Sequence, residues 1–163
     1  MAPPHIETKN LRLVPQTRDH VRAWLDKLQP HEKTQLSRAW LALLDGSSPP
    51  DPWVHGFVLL HRRTDSSIGR CGFKGPPGKD GAVEIAYVIS PEHEGRGYAT
   101  EAANALVAYA FGHPRVRVVR AHTLPETNAS TRVLTKCGFS CVGEVLDPED
   151  GRVWRWEKYP EAA

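Results

Sequence analysis

The sequence predicts an α/β fold in which a mixed sheet carries helices on its faces. Between residues 83 and 89, large apolar side chains recur at every second position, which is the period of a strand; they are Val83, Ile85, Tyr87 and Ile89. Shortly after it the apolar spacing becomes that of an amphipathic helix, with the stripe Ala99, Ala102, Ala103, Leu106, Val107, Ala110 and Phe111. Short apolar runs between turn residues, on both sides of this unit, predict further strands.

The first half of the chain predicts one strand, two helices and a meander of three strands. The first strand covers residues 11–14 and stops at Pro15. Two helical stretches follow, separated by Gln29 and Pro30, and an irregular loop covers residues 45–52. Residues 53–61 and 68–74 then predict a hairpin, and a turn-rich segment leads into the strand at 83–89.

The second half predicts a crossover and a terminal hairpin. A strand over residues 115–122 follows the central helix, and because a complete helix separates it from the strand at 83–89, we expect the two to be parallel. A short helix comes next, with one face made by Ser130, Val133, Leu134 and Cys137. Strands at 139–146 and 152–159 form the hairpin. The predicted order is βααβββαβαββ, with about seven strands and about four helices in one domain spanning residues 1–163.

Composition and charge argue against several classes of function. The chain has 163 residues and a formal net charge of +2, which does not support a role in nucleic-acid binding. It has no apolar run of the roughly 20 residues that cross a bilayer and no signal-peptide pattern, so we expect a cytoplasmic protein without membrane contact. Cys71, Cys137 and Cys141 lack metal-ligand spacing, as do the eight histidines. We therefore expect buried thiols and no metal site.

The connection between the central strand and helix has the features of an anion site. Gly95 and Gly97 allow the backbone to approach a ligand closely, and the helix that follows begins with free N–H groups at its positive end. A phosphate here would meet these donors, the Thr100 hydroxyl and Arg96. The alternative is that the glycines only make a tight turn. The loop matches neither the dinucleotide nor the P-loop fingerprint.

Three motifs in this order resemble those of the GCN5-related N-acetyltransferases (GNAT). They are Val83-Glu-Ile-Ala-Tyr87, Gly95-Arg-Gly-Tyr-Ala-Thr-Glu-Ala102 and Asn128-Ala-Ser-Thr-Arg-Val-Leu-Thr-Lys-Cys-Gly-Phe139. The resemblance covers most of the chain, and residues 7–13 are similar to the family's usual opening. Within the family, the sequence looks like the branch of the ribosomal-protein-alanine acetyltransferases.

The resemblance implies that acetyl-CoA binds in a gap where the sheet splays between the strands at 83–89 and 115–122. The backbone at Val88 and Ile89 would pair with the pantetheine arm, and the N–H groups from Gly95 to Thr100 would hold the diphosphate. The residues implied in cofactor binding are Val88, Ile89, Glu94, Gly95, Arg96, Gly97, Tyr98, Ala99, Thr100, Asn128 and Ser130.

Acetyl transfer needs a neutral amine, a stabilised oxyanion and a proton for the leaving thiolate. Glu84 is the candidate base, acting through a water, and the alternative is an ion pair with a neighbouring strand. Ser130 is the candidate acid, and the alternative is simple packing. Many relatives have a tyrosine acid where this chain has Leu134, Gln or Arg where it has Glu94, and asparagine where it has Thr127.

The acceptor amine is left open between a protein N-terminus and a small molecule. The acidic turn with Asp147, Glu149 and Asp150 attracts a cationic acceptor or is simply a solvated hairpin tip. A homodimer could form through the terminal hairpin. The competing function is a non-catalytic acyl-CoA-binding module on the same fold, and an RNA-binding domain is disfavoured by the weak net charge.

Overall fold

The computed structural model of the chain describes residues 5–34, 36–46 and 51–161. Within them the structure has eight strands and six helices. In chain order these are β1 Ile6–Glu7, β2 Leu11–Pro15, α1 Arg18–Asp26, α2 Pro30–Lys33, α3 Arg38–Gly46, α4 Pro52–His55, β3 Phe57–His61, β4 Ser67–Phe73, β5 Ala82–Ile89, α5 Tyr98–Phe111, β6 Val118–Thr123, α6 Ala129–Lys136, β7 Ser140–Asp147 and β8 Gly151–Lys158. The α/β prediction is confirmed.

All eight strands form one mixed sheet in the order β1-β2-β3-β4-β5-β6-β8-β7. Neighbouring strands run antiparallel except β5 and β6, which are parallel, as the helical crossover between them predicts. The parallel pairing is short, because Ala82, Val83 and Glu84 pair with Val118, Val119 and Arg120 and the ladder then ends. The predicted splay of the sheet at this point is confirmed.

The structure departs from the predicted elements in four places. Residues 53–61 do not form one strand, because Asp51 caps a single helical turn from Pro52 to His55 before β3 begins. The two-residue strand β1 and the four-residue helix α2 are too short to give a periodic signal. The strand predicted from 115 begins only at Val118. Of the irregular loop predicted at 45–52, residues 47–50 lie outside the described part of the chain.

Helix α5 packs on one face of the sheet and provides the centre of the core. The predicted stripe of this helix is confirmed, since its members are buried or half-buried and Ala102, Ala103, Leu106 and Ala110 are fully buried. They pack against inward-facing strand residues such as Leu13, Phe57, Leu59 and Ile85. Burial of these side chains is the main term that stabilises the sheet with its helix.

A second, smaller apolar cluster lies among the early helices. It joins Val21 of α1, Trp40 and Leu44 of α3 and Val54 of α4. The indole N–H of Trp40 donates to the backbone oxygen of Val54 at 2.6 Å, so the polar part of this buried ring is satisfied. This cluster holds α1, α3 and α4 together near β4.

The three cysteines are free thiols. Cys71 and Cys137 are buried free thiols, as expected, whereas Cys141 is exposed because it lies on the edge strand β7. Burial raises the pKa of the Cys71 thiol far above its ordinary value. In residues 5–34, 36–46 and 51–161, no helix has the length and apolar character needed to traverse a bilayer.

Candidate functional site

The glycine loop between β5 and α5 exposes a row of backbone donors. Gly95 and Gly97 have φ angles of 77° and 84°, the left-handed region that favours glycine. A Cβ built on either would meet no atom within 4 Å, so the loop borders open space. The first N–H of α5 that bonds within the chain is that of Glu101, to the oxygen of Gly97 at 3.1 Å. The N–H groups of residues 95–100 make no bond within the described chain.

The edge of β5 beyond Glu84 is also open. On one side Val88 and Ile89 pair with Arg70 and Gly69 of β4, and on the β6 side they have no strand partner. The side chain of Val88 is 58% exposed, although it is large and apolar. An unpaired strand edge with an exposed apolar residue suits an extended ligand that adds to the ladder. These are the two residues predicted to contact the pantetheine arm.

Glu84 lies at the base of the gap and contacts two side chains from its neighbouring strands. The Nζ atom of Lys74, which follows β4, lies 2.8 Å from its Oε2 atom, and Nδ1 of His122 on β6 lies 3.0 Å from the same oxygen. Lys74 also lies 3.7 Å from Asp150 in the β7–β8 turn. The ion pair that was the alternative interpretation of Glu84 is therefore present, and it lies at the predicted splay.

The hydrogen bond at Nε2 of His122 indicates which tautomer the neutral imidazole adopts. Nε2 accepts a hydrogen bond from Nε of Arg155 on β8 at 3.1 Å, so the neutral ring carries its proton on Nδ1, facing Glu84. The His122 side chain is 7% exposed, and its Nδ1–H is not well aligned with the carboxylate despite the short distance. The contact is thus mainly electrostatic.

These neighbours keep Glu84 ionised. Burial raises the pKa of its carboxyl, but the close contact with His122 and the charge of Lys74 together lower it by more, and the pKa lies below the ordinary value. For Lys74, burial lowers the pKa, and Glu84 and Asp150 raise it by more. At neutral pH the site therefore holds a carboxylate beside an ammonium group.

Ser130 on α6 faces Tyr87 on β5. Tyr87 lies on the strand face opposite Glu84, since the two residues are three apart. Burial raises the pKa of the Tyr87 phenol to about 12, against the opposing effect of a hydrogen bond with the Ser130 side chain. The phenol is therefore a neutral donor at physiological pH. Both side chains are half-buried where β5 has separated from β6.

The Asn128 side chain caps the start of helix α6 with its oxygen atom. Its Oδ1 atom accepts the N–H of Thr131 at 3.0 Å, and the Thr131 hydroxyl accepts the N–H of Asn128 at 3.0 Å, which is a capping box at the start of α6. This box fixes where the helix begins, and so where Ser130 lies relative to β5.

The acidic turn between β7 and β8 is occupied by contacts within the chain. Asp147 accepts the N–H groups of Glu149 and Asp150, both at 2.9 Å. Glu149 accepts the N–H of Arg38 at 2.5 Å and of Ala39 at 3.2 Å, so it caps the first turn of α3. Asp150 approaches Lys74. The turn is thus more than a solvated tip, because it joins the terminal hairpin to the early helices.

Sequence reasoning did not single out Lys74, His122, Arg155 or Tyr87, although it named Glu84 and Ser130 as candidates. Lys74 and His122 meet Glu84, and Arg155 meets His122, through strand register, which spacing within one strand does not reveal. Tyr87 belongs to one of the three family motifs, but nothing in the sequence indicated that it would face Ser130. In the part of the chain that the structure describes, no group of three His, Cys, Asp or Glu side chains is arranged to hold a metal ion.

Residues 5–140 match the family model described as acetyltransferase (GNAT) domain. The chain belongs to this family. Over 96 residues the GNAT chain is 31% identical to "Uncharacterized N-acetyltransferase p20" of Bacillus licheniformis, a match that covers 59% of this chain and 54% of that protein. The chain thus spans about half the length of the curated relatives it matches. Membership of a family of N-acetyltransferases supports acetyl transfer in general terms.

Solved GNAT structures share the fold at low identity. The ribosomal-protein-S5-alanine acetyltransferase of Vibrio fischeri superimposes with a TM-score of 0.70 at 15% identity, covering 96% of this chain and 97% of that chain. The aminoglycoside acetyltransferase AAC(6′)-Ib, in complex with coenzyme A, superimposes with a TM-score of 0.66 at 19% identity, covering 91% and 94%. At these identities the likeness concerns the fold alone.

Proposed function

We propose that this protein transfers an acetyl group from acetyl-CoA to a primary amine, which attacks the thioester directly in a ternary complex. The observation that carries the proposal is the gap between β5 and β6. An ionised carboxylate, Glu84, lies on one face of the strand beside this gap, and the Tyr87–Ser130 pair lies on the other. A thioester in the gap would have a group for the incoming amine on one side and donors for the leaving sulfur on the other.

Binding of acetyl-CoA is supported by the open donors next to the gap. The N–H groups of residues 95–100, the Thr100 hydroxyl and Arg96 would hold the diphosphate at the positive end of α5. The unpaired edge at Val88 and Ile89 would bond the amide groups of the pantetheine arm. The N–H at Val88 or Ile89 is also the candidate donor to the thioester carbonyl, where negative charge develops during acyl transfer.

Glu84 and the Tyr87–Ser130 pair have distinct roles in this proposal. The ionised Glu84 accepts, through a water, the proton that the amine loses as its nitrogen bonds to the carbonyl carbon. When the carbon–sulfur bond breaks, the Ser130 hydroxyl donates to the departing thiolate, and the neutral Tyr87 phenol supports that donation through their hydrogen bond. An α-amino group, with an ordinary pKa near 8, needs less help from Glu84 than lysine, near 10.4.

We infer that the chain acts as one domain in the cytoplasm and that it lies in the ribosomal-protein-alanine acetyltransferase branch, with a protein N-terminus or a small-molecule amine as acceptor. A homodimer through the β7–β8 hairpin is supported by the position of β7 at the sheet edge, with Val142 53% and Leu146 79% exposed.

The experiment that tests the proposal follows thiol release from acetyl-CoA with a panel of amines and detects the acetylated products by mass spectrometry. Calorimetry with acetyl-CoA runs in parallel. Binding together with transfer to at least one amine is the expected result. Binding without transfer to any N-terminal peptide or small amine, with Glu84→Gln indistinguishable from the wild type, would favour the non-catalytic acyl-CoA-binding module instead.

A further inference from the structure

Arg70 on β4 is a half-buried cation with an unusual set of neighbours. Its guanidinium carbon lies 4.1 Å from the ring centroid of Trp24 on α1, a cation–π contact. Its Nη2 atom donates to the backbone oxygen of His55 at 3.0 Å. Burial lowers the pKa of Arg70 to about 10, because the charge has lost much of its hydration. The group is held firmly in position at some cost in solvation.

No carboxylate compensates this charge. Among residues 5–34, 36–46 and 51–161, no Asp or Glu oxygen lies within 4.0 Å of Arg70, and the rest of the chain contains neither residue type. A guanidinium has five N–H donors, and a single bond uses one of them. Within the described chain, the other guanidinium nitrogens of Arg70 have no hydrogen-bond partner and are not fully buried, so they reach solvent.

The position of Arg70 relates this charge to the proposed reaction. Arg70 pairs with Val88 across β4 and β5, so it lies on the same face of the sheet as Val88, Ala86 and Glu84. Ala86 and Val88 are exposed between the two charged groups. Along β5 the Cα atoms of Glu84 and Val88 are separated by about 13 Å, at roughly 3.3 Å per residue. The face beside the gap therefore has a cation at one end and a carboxylate at the other.

We propose that Arg70 binds a carboxylate of the acceptor, so that the preferred acceptors are amines that also carry an anionic carboxylate group. The planar guanidinium matches a carboxylate through two parallel hydrogen bonds, and stacking on Trp24 fixes its orientation in advance. The amine of the same molecule then points away from the cation, along exposed Ala86, toward Glu84. This assignment rests on the proposed acetyl transfer and concerns the same site.

A purely structural role for Arg70 makes a different prediction. If the side chain served only to attach α1 and the segment after α4 to β4, its loss would lower the unfolding temperature and affect all acceptors alike. A carboxylate-binding role instead separates acceptors by charge. The test therefore uses matched pairs: γ-aminobutyrate with γ-aminobutyramide, and alanyl-aspartate amide with alanyl-asparagine amide.

Two variants of Arg70 are used. Arg70→Met removes the charge and keeps a long side chain, and Arg70→Lys keeps the charge but removes the paired N–H donors of the planar guanidinium. Arg63→Met, in the exposed turn before β4, is the control. For the wild type, kcat/KM is expected to be at least about tenfold higher for the carboxylate member of a pair, as a charge-assisted bond implies. Arg70→Met should raise KM for that member about tenfold or more, with KM for the amide member and both kcat values within about twofold. Arg70→Lys should be intermediate.

Binding of the same pairs in the presence of coenzyme A, which cannot donate an acetyl group, separates this inference from the proposed function. Selective, Arg70-dependent binding of the carboxylate member in this assay would sustain the assignment of Arg70 as a carboxylate-binding residue. If the separate assay with acetyl-CoA then showed no transfer to any amine, the enzymatic proposal alone would be overturned. Equal affinity of the wild type for both members of each pair would overturn the inference, whether or not transfer occurs and whether or not Arg70→Met folds. An equal loss for both members in a variant with unchanged unfolding temperature would do the same.

Discussion

The Nδ1 atom of His122 lies 3.0 Å from Oε2 of Glu84, which is the last residue of β5 that pairs with β6. Because Arg155 donates to the other ring nitrogen, the imidazole directs its proton toward the carboxylate. Lys74 contacts the same oxygen at 2.8 Å. The carboxylate proposed as the base is therefore stabilised in its ionised form by groups from both adjacent strands.

Glu84→Gln should lower kcat on the order of a hundredfold, because the amide cannot accept the proton of the amine through a water. The dissociation constant for acetyl-CoA, measured by calorimetry, should stay within about twofold, since Glu84 is distant from the glycine loop along β5. Glu144→Gln on the exposed edge strand is the matched control. A Glu84→Gln enzyme with kcat within about twofold of the wild type would exclude Glu84 as the base.

Lys74→Met should move the acidic limb of the pH profile of kcat/KM to higher pH. The ammonium group favours the ionised form of Glu84, so its removal raises the pKa of the carboxyl and protonates it at higher pH. The wild type keeps the base ionised down to below the ordinary pKa of a glutamate, and the variant loses activity earlier as the pH falls. An acidic limb at the same pH in both proteins would show that Lys74 does not tune the group that controls the rate.

Ser130→Ala should lower kcat about tenfold to a hundredfold, because the leaving thiolate loses its donor. Tyr87→Phe should have a smaller effect of the same kind. Since the Ser130 side chain interacts with the Tyr87 phenol, the double variant should lose less than the product of the two single effects. Effects that multiply would mean that the hydroxyl and the phenol act independently.

Gly97→Val should abolish binding of acetyl-CoA as measured by calorimetry. The residue has a φ angle of 84°, so a β-branched side chain strains the loop and also occupies the open space next to the N–H groups of residues 95–100. Gly143→Val on β7, also at positive φ with open space, is a control for strain alone. Undiminished binding by a folded Gly97→Val protein would remove the loop from the cofactor site.

Glu101→Gln should reduce the loss of stability that acid causes. The Glu101 carboxylate accepts the Asn10 N–H at 2.8 Å and Asn10 Nδ2 at 2.9 Å, and it also accepts the Thr8 hydroxyl. Burial raises the pKa of Glu101, the bonds from Thr8 and Asn10 lower it by more, and the net shift is downward. The stabilisation is thus complete above the unfolded pKa, near 4.5, and disappears as the pH falls through the lower folded value.

The measurement for Glu101 is the free energy of unfolding from denaturant titrations at several pH values from neutral to acidic. The wild type should lose more stability across this range than Glu101→Gln, which lacks the titrating group. Glu161→Gln, near the end of the described chain, provides the control for a change of charge alone. Parallel curves for the wild type and Glu101→Gln would contradict the assignment.

Periodicity was sufficient to predict the elements that bury one regular face. Residues 83–89 and 99–111 were predicted almost to their ends, because their apolar spacing persists over several turns or pleats. The turn at 52–55 was missed because a Pro-Trp-Val-His segment has the apolar content of a strand, and its helical form depends on the cap supplied by Asp51.

The candidate site was predictable only where a motif carried it. Glu84 and Ser130 were named as candidates through the resemblance. Lys74, however, reaches Glu84 through the register between β4 and β5, and His122 reaches it through a parallel pairing of three residues. Register depends on turn geometry and on which face is buried, so a single sequence leaves it undetermined. Arg70 is a further example, since its stacking on Trp24 joins residues 46 positions apart in the chain.

The contact of Glu149 with the first turn of α3 has a consequence for synthesis on the ribosome. The Glu149 carboxylate bonds the N–H groups of Arg38 and Ala39, more than a hundred positions earlier in the chain. During translation, residues 38–46 leave the exit tunnel long before this cap exists, and β6 likewise waits for β8. The cap on α3 and the antiparallel partner of β6 therefore both become available only after the hairpin that follows α6 has been made.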